Sequence, residues 1–186
     1  MIPENELESV STDTESKVEL GGDPGSLRRH EDRDGLLRTQ QHVHELIQKE
    51  IDAGIPADHI VLGGFSQGGA ASIFSGLTAK VKLAGIVALS AYLMLSQQFK
   101  SFVPNPNVNK DTPVFMGHGE DDQVVPHQLG KMSCEILQGL GYQVRFESYP
   151  DLGHSATPEE LESVERFLTE VLPNADAKAP KEKPEL

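Results

Sequence analysis

Ser66 stands at the centre of a G-x-S-x-G pattern, Gly64-Phe65-Ser66-Gln67-Gly68, and is the first candidate for chemistry in this chain. The pattern is typical of a nucleophile elbow, a strained turn between a strand and a helix that exposes the serine hydroxyl. A short apolar run precedes it and a helix-forming stretch of small residues follows it. A tight turn that merely contains a serine is the alternative, and the two flanking elements favour the nucleophile.

A second pattern, H-G-x-x-D-x-x-V-P, spans His118–Pro126 and contains three consecutive acids, Glu120, Asp121 and Asp122. An acid placed after a buried strand can orient a catalytic histidine and stabilise the imidazolium that forms during the reaction. The pattern favours Asp122 for this role, whereas Glu120 and Asp121 are expected to face solvent. We therefore predict that Asp122 is the acid of a catalytic triad.

His154 is the candidate base, since a serine hydroxyl is a weak nucleophile without an adjacent base. A histidine in a short loop, here Gly153-His154-Ser155, is more often a surface residue. The order Ser66, Asp122, His154 favours the base, because it is the triad order of α/β-hydrolases. Other histidines lack such a setting, and none has zinc-type spacing: His30, His42, His44, His59 and His127.

The chain between these motifs alternates between short apolar runs and helical patterns, which predicts a parallel α/β architecture with helices on both faces of the sheet. Ligands of such sheets bind at the carboxyl ends of the strands, and each candidate residue follows a predicted strand. The predicted strands are 59–64, 83–89, 113–117 and 144–149, the predicted helices are 36–53, 67–78, 126–139 and 158–172, and a long loop is predicted over 92–111.

Both ends of the chain are polar and divide it into three predicted parts. Residues 1–34 form an acidic segment expected to be disordered, residues 35–173 the α/β-hydrolase domain, and residues 174–186 a disordered tail. The net charge of −13 argues against nucleic-acid binding, which needs a basic surface. The same charge disfavours anionic membranes, and no apolar run is long enough to span a bilayer, so at most peripheral membrane contact is expected.

The expected compartment is reducing. The chain has a single cysteine, Cys134, so it cannot form an internal disulfide, and its first residues lack the profile of a signal peptide. A cytoplasmic location follows as the expectation. The sequence leaves the oligomeric state open.

The segment 54–69, read as G-I-P-x-x-x-I-V-L-G-G-F-S-Q-G-G, closely resembles a known family. Together with His118–Pro126 and Gly153-His154-Ser155, it is similar to fungal members of the acyl-protein thioesterase and lysophospholipase family. The resemblance implies hydrolysis of palmitoyl and other fatty acyl thioesters on protein cysteines, with side activity on lysophospholipids and small esters. It assigns the triad to Ser66, Asp122 and His154, and makes the Gln67 amide one oxyanion donor. It also implies no cofactor, S-acylated proteins as substrates, and the nucleus as a second compartment.

Two features of that family are not found in this sequence: several strands before residue 26, and a His-Gly-Leu-Gly-Asp-like loop that supplies a second oxyanion donor. We therefore expect an N-terminally truncated member with its N-terminal strands missing, whose first strand is an exposed edge. Losing one oxyanion donor typically lowers turnover by about 10²–10³. Two interpretations stay open, an active thioesterase, or an impaired family member or non-catalytic acyl-binding protein.

An acyl chain needs an apolar channel near the nucleophile. Leu93, Met94 and Leu95 follow the second predicted strand, at the edge of the sheet where the triad is expected. We predict that these three residues bind the acyl chain. A position that caps the core is equally compatible with the sequence.

Overall fold

The computed structural model describes residues 31–173 of the chain. Its strands are β1 (Val61–Phe65), β2 (Gly85–Leu89), β3 (Val114–Gly119) and β4 (Val144–Tyr149). Its helices are α1 (Arg33–Asp52), α2 (Gln67–Leu77), α3 (His127–Gly139) and α4 (Pro158–Val171), with short 3-10 helices at Ala57–His59 and Phe99–Ser101. Each predicted strand and helix is present, with ends that differ by up to three residues.

The first helix begins before the predicted start of the domain at residue 35. Asp32 caps it, and its carboxylate accepts a hydrogen bond from the amide of Gly35 at 2.8 Å. Aspartate is a favoured N-cap because it satisfies an amide that has no acceptor within the helix. The other residues of the two segments predicted to be disordered, 1–30 and 174–186, lie outside the described residues.

The four strands form one parallel sheet in the order β1-β2-β3-β4. Phe65 pairs with Leu89, and Leu89 pairs with Gly117, so the strands end close to one another. Within residues 31–173, β1 has a neighbour on one side only, which agrees with the edge position expected for this strand. The parallel α/β prediction is confirmed.

Helices cover both faces of the sheet because buried side chains of β2 alternate between them. Ile86 and Ala88 belong to the larger core, together with residues of α2 and α3. Val87 and Leu89 belong to a second core that includes Phe115 of β3 and Phe167 of α4. The sheet is therefore covered on both faces, and its carboxyl edge presents the loops after β1, β3 and β4.

The predicted loop between β2 and β3 packs against the core. Phe99 within it has no exposed surface. The buried side chain of Asn109 anchors its far end: Oδ1 accepts from the amide of Leu83 at 3.0 Å, and Nδ2 donates to the carbonyls of Ala79 and Val81 at 3.0 and 2.8 Å. A fully satisfied buried amide of this kind holds a connection in one conformation.

Candidate active site

Ser66 occupies the turn between β1 and α2 with φ = 55°, in the left-handed region that a residue with a side chain rarely adopts. Its amide donates to the carbonyl of Leu89 at 2.8 Å, which ties the turn to β2. Glycines make the turn possible, since a Cβ at Gly64 would lie 2.3 Å from the backbone carbon of Gly68. The local sequence therefore produces the elbow geometry predicted from the pattern.

The structure brings the three predicted triad residues into one line of hydrogen bonds. His154 Nδ1 lies 2.8 Å from Asp122 Oδ2, and His154 Nε2 lies 2.9 Å from Ser66 Oγ. A carboxylate can only accept, so Nδ1 carries the proton and Nε2 faces the serine hydroxyl as an acceptor. This is the tautomer in which a histidine can remove the proton of Ser66.

Asp122 is buried and strongly hydrogen-bonded. Its Oδ1 accepts from the amides of Val124 and Val125 at 2.9 and 2.8 Å. Burial favours the neutral acid, but the hydrogen bonds from His154, Val125 and Val124 outweigh this effect and hold the pKa of Asp122 below its ordinary value. Asp122 is therefore a carboxylate.

The other two acids of the loop do not face the histidine. Glu120 and Asp121 are exposed, as expected from the sequence. The amide of Asp121 donates to the carbonyl of Leu152 at 3.0 Å, which joins the acid loop to the base loop. Gly119 permits this approach, because a Cβ there would lie 2.1 Å from the Leu152 carbonyl oxygen.

Phe65 is a site residue that the sequence reasoning did not single out. Its ring lies against that of His154, with centroids 4.7 Å apart and planes inclined at 50°. The signal was its place in the G-x-S-x-G pattern, directly before the nucleophile. His118, the first residue of the acid-loop pattern, is another such residue, and its Nε2 lies 3.4 Å from Asp122 Oδ2.

The predicted oxyanion donor, the amide of Gln67, is the first amide of α2. The first amides of a helix have no acceptor within the helix, and the helix dipole adds partial positive charge at this end. An oxyanion that forms next to Ser66 would meet this amide.

Beside the elbow lies a cavity of about 310 Å³ between α1 and the start of α2. Apolar side chains of Leu36, Ala71 and Met94 line it, and Gln67 and Gly68 form the wall towards the nucleophile. Of the three residues predicted to bind the acyl chain, only Met94 lines this cavity.

Leu93 and Leu95 do not line this cavity, and both belong to the hydrophobic core, the position that the sequence left equally open. Leu93 has no exposed surface, and its amide donates to Ser133 Oγ of α3 at 2.8 Å. Leu95 adopts φ = 51° and its amide donates to Glu31 Oε2 at 3.0 Å. Both side chains are buried, whereas Met94 between them lines the cavity.

Among residues 31–173, no group of three potential metal-binding side chains lies together. His44 Nε2 lies 2.8 Å from the carbonyl oxygen of Ser75. In the same part of the chain, none of the helices combines the length and apolar character that a bilayer crossing requires.

Residues 24–172 match the Phospholipase/Carboxylesterase family. Acyl-protein thioesterase 1 of Neurospora crassa is 57% identical over 160 residues, which cover 86% of this chain and 65% of that protein. Acyl-protein thioesterase 1 of Gibberella zeae is 54% identical over 155 residues, which cover 83% of this chain and 66% of that protein. The chain thus spans just under two thirds of the length of these relatives.

Solved structures show the same fold. The crystal structure of Arabidopsis thaliana SOBER1 superposes with a TM-score of 0.69 at 31% identity, covering 75% of this chain and 65% of that one. The crystal structure of Zea mays acyl-protein thioesterase 2 superposes with a TM-score of 0.66 at 29% identity, covering 75% of this chain and 66% of that one.

Proposed function

Because this chain belongs to the Phospholipase/Carboxylesterase family and has the α/β-hydrolase fold, we propose that it is a serine hydrolase that removes palmitoyl and other fatty acyl groups from protein cysteines. Carboxylesterase and lysophospholipase activities are proposed as side reactions. The observation that carries the proposal is the line of hydrogen bonds from Asp122 through His154 to Ser66. The identity to acyl-protein thioesterase 1 of Neurospora crassa supports the choice of substrate.

Acylation of the enzyme uses all three triad residues. Ser66 Oγ attacks the thioester carbonyl carbon while its proton passes to His154 Nε2. Asp122, accepting from Nδ1, stabilises the imidazolium, and the Gln67 amide donates to the oxyanion. The tetrahedral intermediate collapses, the C–S bond breaks, and the leaving thiolate takes the proton from His154. The acyl group is then an ester on Ser66.

Deacylation repeats these steps with water as the nucleophile. His154 Nε2 removes a proton from a water molecule that attacks the acyl-Ser66 carbonyl. The second tetrahedral intermediate releases the fatty acid as Ser66 Oγ regains a proton from His154. This acyl-transfer sequence uses only groups of the chain and water.

The cavity beside the elbow is the proposed site for the acyl chain. Its apolar wall of Leu36, Ala71 and Met94 suits a hydrocarbon, and Gln67, whose amide would meet the reacting carbonyl, also lines it. An acyl chain seated there leaves the thiol side of the bond towards His154, where the leaving group must be protonated.

A fluorophosphonate probe and a palmitoyl thioester together test the proposal. The chain should be labelled at Ser66 and should release free thiol, whereas Ser66→Ala should do neither above background. Ser101→Ala, at an exposed serine away from the triad, is the matched control and should behave like the unmodified chain. Equal hydrolysis by the chain and by Ser66→Ala would support a non-catalytic acyl-binding protein and contradict the enzyme.

Substrates and location are part of the same proposal. S-acylated proteins and small acyl esters are the proposed partners, with at most peripheral membrane contact and no nucleic acid. The cytoplasm, with the nucleus as a second compartment, is the proposed location. Imaging of a fluorescent fusion in a fungal cell tests it, and secretion into the medium would contradict it.

A further inference from the structure

His118 is a fully buried histidine at the carboxyl end of β3, directly behind the acid of the triad. Its Nε2 lies 2.8 Å from the carbonyl oxygen of Val125 and 3.4 Å from Asp122 Oδ2. Both of these oxygens accept hydrogen bonds and neither can donate, so Nε2 carries a proton. His118 therefore donates towards the loop that carries Asp122.

This bond closes a ring of contacts around the acid. Val125 donates its amide to Asp122 Oδ1 at 2.8 Å, and its carbonyl accepts from His118. Both backbone groups of Val125 are thus bonded, its amide to Asp122 and its carbonyl to His118. From there the contacts continue through Asp122 Oδ2 to His154 and on to Ser66.

The surroundings of His118 keep its ring uncharged. Its Nδ1 has no hydrogen-bond partner among residues 31–173, and it is packed against Gly130, where a Cβ would lie 2.4 Å away. Burial also lowers the pKa of His118, against the opposing effects of the Val125 carbonyl and of Asp122. The ring of His127 packs edge-on against the ring of His118, with centroids 5.6 Å apart.

We propose that His118 is a positioning residue: its Nε2–H fixes the 122–125 turn so that Asp122 Oδ2 stays in hydrogen-bond contact with His154 Nδ1. The expected effect of His118 on turnover rests on the proposed function, whereas its contacts with Val125 and Asp122 are independent of that function. His118 touches neither the nucleophile nor the expected substrate cavity, so its effect passes through Asp122. A histidine that only fills space would affect stability and leave the acid in place.

Two variants separate these roles. His118→Phe keeps an aromatic ring, slightly larger than imidazole, and removes the donor, and His118→Gln offers an amide nitrogen in place of Nε2. With a palmitoyl thioester, we expect His118→Phe to lower kcat by about 10- to 100-fold with little change in KM, because small displacements of a catalytic group have effects of this size. His118→Gln should recover most of kcat. His59→Phe, at a surface histidine bonded to Asp58, is the control and should retain the original kcat.

Proton and nitrogen NMR supply a readout that needs no hydrolysis. In a Ser66→Ala background, the Nδ1 proton of His154 should be protected from exchange, remain so in His118→Gln and be lost in His118→Phe. In the unmodified chain, the nitrogen shifts of His118 should identify the neutral tautomer with its proton on Nε2.

The inference is overturned if folded His118→Phe keeps both kcat and the His154 proton, or if His118→Gln loses them equally. A proton on Nδ1 of His118 in the unmodified chain would overturn it without any variant. If the unmodified chain hydrolyses no thioester, the proposed function fails, while the NMR result still decides the role of His118.

Discussion

The ring of Phe65 packs against the ring of His154 with centroids 4.7 Å apart, although Phe65 leaves 40% of its surface exposed. Single exposed apolar side chains are common on protein surfaces, but that of Phe65 covers one side of His154, the proposed base. It restricts rotation of the imidazole about the position in which Nδ1 faces Asp122 and Nε2 faces Ser66. Phe65 thus couples the elbow to the base loop.

Replacing Phe65 by alanine should lower kcat on a palmitoyl thioester by about two- to tenfold, the size expected for one aromatic contact. Phe65→Tyr keeps the ring and should stay near the original rate. Steady-state kinetics at fixed pH measure both. The control is Leu161→Ala, because Leu161 is also an exposed apolar residue but lies on α4. An unchanged kcat in Phe65→Ala would mean that Asp122 alone orients the histidine.

Replacing Asp122 by asparagine should lower kcat by about 10⁴-fold while the fold is retained. The asparagine amide can donate to Nδ1, which would place the imidazole proton on Nε2 and remove the acceptor that Ser66 needs. Asp121→Asn changes a neighbouring exposed acid and should stay within about threefold of the original rate, as expected for a solvated surface charge. Rates of fluorophosphonate labelling compare the two, and equal losses would contradict the assignment of the acid.

Replacing Met94 by alanine should raise KM for a palmitoyl thioester by about fivefold, since an apolar contact with the acyl chain is removed. KM for an acetyl thioester should stay unchanged, because a short chain does not reach the cavity wall. Leu93→Ala should instead destabilise the protein by about 2–5 kcal/mol, because Leu93 is a core residue. Kinetics with both substrates and urea unfolding distinguish an acyl-chain contact from a core residue. A rise in KM for the palmitoyl thioester alone in Leu93→Ala would contradict the different roles assigned to Met94 and Leu93.

Glu160 on α4 should make stability depend on pH. It has no exposed surface, and its carboxylate packs against β3, where a Cβ on Gly117 would lie 2.5 Å from Oε1. Burial raises the pKa of Glu160 to about 7. The folded protein therefore binds this proton more tightly than the unfolded chain does, and raising the pH favours unfolding.

The contribution of Glu160 to the free energy of unfolding should fall as the pH rises from its unfolded pKa to about 7, by on the order of 3 kcal/mol in total. Glu160→Gln removes the titration, so its free energy of unfolding relative to the original protein should rise by this amount from pH 4.5 to pH 8. Urea unfolding at several pH values measures the difference. Glu162→Gln, at an exposed position of the same helix, should give no such trend. A pH-independent difference for Glu160→Gln would show that the carboxyl is ionised or solvated in the folded state.

Local sequence was sufficient to predict the elements and the order of the site motifs. The apolar runs and helical stripes identify the four described strands and four helices because these periods are properties of each segment alone. The glycines around Ser66 predict the elbow for the same reason, since the turn is closed by residues within five positions. The H-G-x-x-D-x-x-V-P pattern also singled out the one acid of three that faces His154.

Tertiary contacts decided the features that depend on residues far apart in the chain. Nothing in the local pattern distinguishes Met94 from its two leucine neighbours, whose amides donate to Ser133 of α3 and to Glu31, which precedes α1. The contacts of Phe65 with His154 and of Glu160 with β3 join segments separated by many residues. The sequence thus determined which groups could react, because backbone geometry is local. Only packing determined which side chains surround them, because close contact in the core is a property of the whole fold.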